Sequence, residues 1–149
     1  MKQRIVAILT ALCLALSLLP TAAGAADAVG TIFSDSAGIR YRVLTENTVE
    51  VIHSSADQPV FNIPSSGYTG NIVIPAKVSN SGNEYKVVGI ETFAFIDAKI
   101  TSITLNEGLE FIDTAAFTNS TLTSIEIPAS VTRLGGGNAG EESSLITLE

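Results

Sequence analysis

His53 is the only histidine in the chain, and it stands alone among residues that carry acid–base or metal chemistry. A protein metal centre needs three or four ligands, and neither a cysteine nor a close carboxylate pair lies near His53 in sequence. It reads as a loop residue. Serines are numerous, at Ser34, Ser54, Ser55, Ser65 and Ser66, yet no Gly-x-Ser-x-Gly turn frames one as a nucleophile. Gly135-Gly136-Gly137 lacks the lysine and helix of a phosphate-cradling loop and reads as a flexible turn. Asp97, Asn106, Asp113 and Asn119 are too scattered to gather around calcium. They suit chain corners, where short polar side chains bond to the backbone. Asn119-Ser120-Thr121 matches a glycosylation sequon, a three-residue pattern that recurs by chance. No cofactor and no metal is implied. Of three readings (recognition module, structural spacer or array fragment, hydrolase), the hydrolase has the least support.

The residue types left for recognition chemistry are hydroxyls and one carboxylate, and a repeat places them. Ile90-Glu91-Thr92-Phe93-Ala94-Phe95 is answered by Ile112-Asp113-Thr114-Ala115-Ala116-Phe117, and Ile100 to Leu105 is answered by Leu122 to Ile127. The period is about 22 residues, within the range of known repeat arrays. Such a period with apolar positions in phase predicts a β-rich solenoid, whose turns bury their apolar faces by stacking. Ile72 and Ile74, Ile103 and Leu105, and Ile125 and Ile127 become equivalent inward pairs, because residues two apart share one face of a strand. The turns then stack into a parallel sheet. Its outward positions carry Val73, Ser102, Thr104, Ser124 and Glu126. Ser102, Thr104, Ser124 and Glu126 are the candidate ligand-facing residues. Tyr68, in a loop, is the candidate exposed aromatic anchor, since tyrosine is favoured at interfaces.

The elements around the repeat follow from composition. Lys2 and Arg4 precede an apolar run from Ile5 to Leu19, ended by Pro20 and followed by Ala23-Gly24-Ala25. Residues 1–25 therefore read as a signal peptide, cut between Ala25 and Ala26. The run is shorter than the ~20 residues that cross a bilayer. Leu12 before Cys13 argues against lipid attachment, and no sorting motif or membrane segment follows. Without the signal the chain has no cysteine, and 6 basic residues face 15 acidic ones, a net charge of −9. That charge argues against nucleic acid and against anionic lipid.

Residues 26–38 are small and polar and read as a flexible leader. Residues 39–44 and 48–52 alternate in polarity around Thr45-Glu46-Asn47, which predicts a β-hairpin. Residues 53–70 read as a long loop. Residues 71–75 form a strand stopped by Pro75, which has no amide hydrogen to give. Ser79 to Asn83 is a turn before a strand over 85–88. Residues 39–88 thus make an N-terminal hairpin cap and a first irregular repeat, and 89–149 the repeats proper. The Thr-Ala-Phe segments after Ile90 and Ile112 predict single helical or 3₁₀ turns opposite the sheet, with Phe95 and Phe117 stacked in the core. The last repeat reads as degenerate or truncated: glycines replace its phenylalanine segment, and Leu145 and Leu148 resume one residue late.

"LTSIE" followed by "IPASVTRLG", through Leu122, Ile125, Ile127, Pro128, Ser130, Val131, Leu134 and Gly135, resembles the BspA-like leucine-rich repeats of bacterial surface proteins. Ala94-Phe95 and Ala116-Phe117 fit the same unit, and "YRVLTENTVEVI", "YTGNIVIPAKV" and "YKVVGIETFAF" are similar to the family's lead-in. The resemblance covers residues 39–134. It implies a leucine-rich repeat fold in an exported or cell-surface protein. It also implies adhesion or recognition directed at a protein or glycan of a host or neighbouring cell.

Overall fold

The computed structural model describes residues 25–55, 63–135 and 137–138. The expected signal peptide, Cys13, Leu145 and Leu148 lie outside the described residues.

Ten strands are present among the described residues, β1 (Ile32–Ser34), β2 (Arg40–Thr45), β3 (Thr48–Val51), β4 (Thr69–Val73), β5 (Lys77–Asn80), β6 (Asn83–Ile90), β7 (Lys99–Thr104), β8 (Phe111–Ile112), β9 (Arg133–Leu134) and β10 (Gly137–Asn138). Alternation explains them. Tyr41 and Val43 of β2, and Tyr85 and Val87 of β6, are buried, while residues between and before them stay in contact with solvent. The large sheet runs β1-β2-β3-β6-β8-β9-β10, with β5 on β6 as a hairpin. Ser81 and Gly82 turn that hairpin with positive φ at both positions, the geometry that matches strand twist. β4 and β7 form a second, parallel sheet.

The parallel registers follow the sequence repeat. Gly89 pairs with Phe111 and Phe111 with Arg133, while Ile90 pairs with Ile112 and Ile112 with Leu134, each partner standing one period further along the chain. Parallel neighbours need a crossover. Here the chain leaves β6, crosses to β7 on the small sheet, and returns through residues 105–110 to β8. Between the sheets lie Ile90, Phe95, Ile100, Leu109, Ile112, Phe117 and Leu122, all buried. Phe95 and Phe117 stack with centroids 5.2 Å apart and planes 4° apart.

Three expectations change. The segments over residues 92–97 and 114–119 are neither α nor 3₁₀ helix, and the described residues contain none. They are chained β-turns closed by Ala94 N–H to Glu91 O, Ile96 N–H to Phe93 O and Ala98 N–H to Phe95 O, repeated in the next circuit. Phe93, Asp97, Ala115 and Asn119 have positive φ, which no right-handed helix accepts. Residues 26–38 are not a free leader. β1 pairs with β2, and the Asp27 carboxylate accepts from Tyr85 Oη at 2.8 Å and Asn80 Nδ2 at 2.9 Å. Residues 122–128, expected as a strand, lie in none. Their Ile125 and Ile127 nevertheless pack on the core.

Candidate functional site

The small sheet presents two of the predicted polar positions, Ser102 and Thr104. In β7, Ser102 stands opposite Asn71 and Thr104 opposite Val73. Thr101 Oγ1 and Ser102 Oγ both donate to Asn71 Oδ1, at 2.6 and 3.1 Å. Val73 is 61% exposed, an apolar spot beside hydroxyls. A register shift at Thr101 interrupts the alternation, so that Ile100 and Ile103, three residues apart, both turn towards the core while Thr101, Ser102 and Thr104 stay exposed.

Thr104 and Glu126 come together. Both line a cleft of about 530 Å³ with Ile103, Leu105, Glu107, Ile127, Pro128 and Ala129. Its walls are tied down. Asn106 Nδ2 donates to Pro75 O at 3.1 Å, and Asn106 Oδ1 accepts from Gly108 N–H at 2.7 Å. On the other wall, Ser130 Oγ donates to Leu109 O at 2.7 Å and Val131 N–H to Pro128 O at 3.1 Å. Ser124 is exposed on the segment leading to Glu126. Glu107 was not singled out by sequence reasoning. It follows the corner Asn106, and its place after an inward pair was the available signal.

Tyr68 is not an exposed anchor. It is 6% exposed, its ring 5.0 Å from that of Phe95. Its hydroxyl donates to Ile52 O and accepts from Arg40 N–H. Burial pushes its pKa up to about 12. His53 is buried too: Nδ1 accepts from Ser55 N–H, so Nε2 donates to Pro64 O. Both ring nitrogens hold the loop.

The large sheet carries a second polar cluster that sequence reasoning did not find. One cross-strand row reads Arg42, Glu50, Gly89, Phe111, Arg133. Arg42 pairs with Glu50 at 3.2 Å and also with Glu91. Arg133 pairs with Asp113 and lies over the Phe111 ring, 4.4 Å from its centroid. Asp113, expected to bond to the backbone, makes this ion pair instead. Burial raises the Glu50 carboxyl to about 7. Arg42 and Arg133 oppose the rise, and Glu91 and Asp113 add to it. These groups neutralise one another, so the cluster ties strands together more than it offers charge to a ligand.

Among the described residues no three His, Cys, Asp or Glu side chains are grouped to hold a metal ion. No helix among them is long and apolar enough to cross a membrane.

Residues 69–148 match the family model described as BspA type leucine rich repeat region (6 copies). No curated protein matches the chain. Solved structures similar to it include the pneumococcal vaccine antigen PcpA, at 24% identity and a TM-score of 0.47, covering 70% of this chain and 34% of that one. They also include a leucine rich cell surface protein from Faecalibacterium prausnitzii, at 15% identity and a TM-score of 0.31, covering 70% of this chain and 50% of that one. The chain therefore spans about a third and about half of the lengths of these two proteins. The family match takes in more than half of the chain, both small-sheet strands and the cleft between Thr104 and Glu126; this protein belongs to the BspA type leucine-rich repeat family.

Proposed function

We propose that this chain is an exported, non-catalytic recognition module of the cell surface. It binds a protein or glycan of a host or neighbouring cell through Ser102, Thr104, Ser124 and Glu126. The fold behind that surface is a solenoid with turns of about 22 residues, and the N-terminal hairpin strands serve as its cap. The observation that carries the reading is the meeting of Thr104 and Glu126 in one cleft with pinned walls. Ligand sites are typically preformed concave surfaces with an apolar lining and a few polar groups. The family supports it, since leucine-rich repeat modules bind proteins. A non-catalytic role agrees with His53, whose ring nitrogens are spent on backbone partners.

The test is surface binding of the purified chain to a panel of matrix proteins and glycans, beside a Thr104→Arg/Glu126→Arg double variant. Circular dichroism would show both to be folded. Saturable binding lost in the folded double variant is the expected outcome. Binding that survives it would remove the small-sheet face as the site.

A further inference from the structure

The two sheets treat the repeat differently. On the large sheet the parallel ladder continues from β6 through β8 to β9. On the small sheet it stops at β7, which among the described residues pairs only with β4. The next segment starts alongside: Thr121 N–H donates to Ala98 O at 3.0 Å and Thr121 Oγ1 to Ile100 O at 2.7 Å. Then it parts from β7. Residues 122–128 join no strand, and the cleft opens between Ile103-Thr104-Leu105 and Glu126-Ile127-Pro128-Ala129. Pro128 has no amide hydrogen with which to close the gap.

We propose that this cleft receives an extended peptide segment bearing a lysine or arginine, which adds to the free edge of β7; the proposal rests on the recognition reading above. Strand addition satisfies unpaired backbone groups at a sheet edge and takes its specificity from alternate side chains. A glycan has no matching ladder of amide donors and carbonyl acceptors. The cleft floor offers Ile103, Leu105 and Ile127 to one face of such a segment.

The charge selects a cation. Glu107 and Glu126 line the cleft, and among the described residues no lysine or arginine does. Among the described residues neither glutamate enters an ion pair, whereas Glu50, Glu84, Glu91 and Asp113 are each paired with a basic side chain. An incoming ammonium or guanidinium meets no internal competitor. The cleft volume suits a short segment better than a folded domain, and its pinned walls lower the ordering cost of binding.

The test titrates the full chain with a capped peptide, Thr-Val-Lys-Val-Thr, and its arginine counterpart. Two controls replace the central residue by glutamate or methylate the backbone nitrogens. The chain variant Glu107→Gln/Glu126→Gln is titrated in parallel, with circular dichroism to show that it is folded. The expected result is saturable binding, weakened roughly tenfold or more by each peptide change and by the double variant. Equal binding of the methylated peptide overturns strand addition, and equal binding of the glutamate peptide overturns the choice of a cation. No binding to a folded chain overturns the proposal altogether. So does self-association of the chain that Glu107→Gln/Glu126→Gln abolishes, since the occupant is then a second copy. A chain that binds a panel protein or glycan, and loses it on Thr104→Arg/Glu126→Arg, but ignores the peptides overturns only the peptide proposal and leaves the recognition reading standing.

Discussion

Phe111 lies across Gly89, its partner in the parallel register, and fills the space a side chain there would need. A Cβ at residue 89 would stand 1.9 Å from Phe111 Cζ. The glycine is therefore required for room. The aromatic ring covers its bare backbone, a known way of rescuing glycine in a sheet. The Arg133 guanidinium closes the stack from above.

Gly89→Ala should accordingly cost about 1–3 kcal/mol, the usual cost of overpacking. With Phe111→Ala already present, the same change should be neutral or slightly stabilising, because alanine loses less chain entropy than glycine. Urea unfolding of the double-mutant cycle measures the difference. Additive effects would show that the two residues do not share this space.

The stacked pair Phe95 and Phe117 joins consecutive circuits of the core. Phe117→Ala should destabilise by about 3–5 kcal/mol, a large fraction of a small domain's stability. Chemical denaturation reads the loss. A change below about 1 kcal/mol would mean that the stack is not central to the core.

Ala115 has φ of 56° in its turn, whereas Ala116 beside it does not share the left-handed conformation. Left-handed geometry costs a non-glycine residue about 1–2 kcal/mol. Ala115→Gly should therefore be neutral to stabilising, while Ala116→Gly should destabilise. Thermal unfolding of the two variants checks the contrast, and a destabilised Ala115→Gly would contradict the turn geometry.

Glu50 gives a pH dependence with a definite sign. Its folded-state pKa is raised from 4.5 to about 7, so folding takes up a proton in that window. The contribution to stability is greatest below the ordinary value and falls as pH rises through about 7, by up to about 3 kcal/mol. Glu50→Gln should flatten the stability curve between pH 4.5 and 7, measured by urea unfolding across that range. An unchanged slope in the variant would show that another group is responsible.

The repeat was legible because apolar side chains recurring in phase leave a plain trace: Ile90, Ile112 and the two stacked phenylalanines all reach the core. The Thr-Ala-Phe turns were misread because backbone sign leaves little trace. Phe93 and Ala115 adopt positive φ, a conformation their residue types do not advertise. Tyr68 was misplaced because a loop position says nothing of the backbone groups, Ile52 O and Arg40 N–H, that its hydroxyl reaches. Asp27 and β1 looked like a leader because their partners, Asn80, Tyr85 and β2, are remote or register-dependent. Of the proposed recognition surface, Thr104 and Glu126 could be read from the period. Glu107 carried only the trace of its place after the inward pair Ile103 and Leu105, and the opening beside Pro128 left no trace in the sequence.

The most direct test of the proposed recognition surface is amide hydrogen exchange of the chain with and without a panel member that it binds. Protection confined to residues 102–105 and 126–129 is the expected result. Protection centred on Arg42, Glu50, Phe111 and Arg133, with the small sheet unchanged, would contradict it and move the binding face to the large sheet.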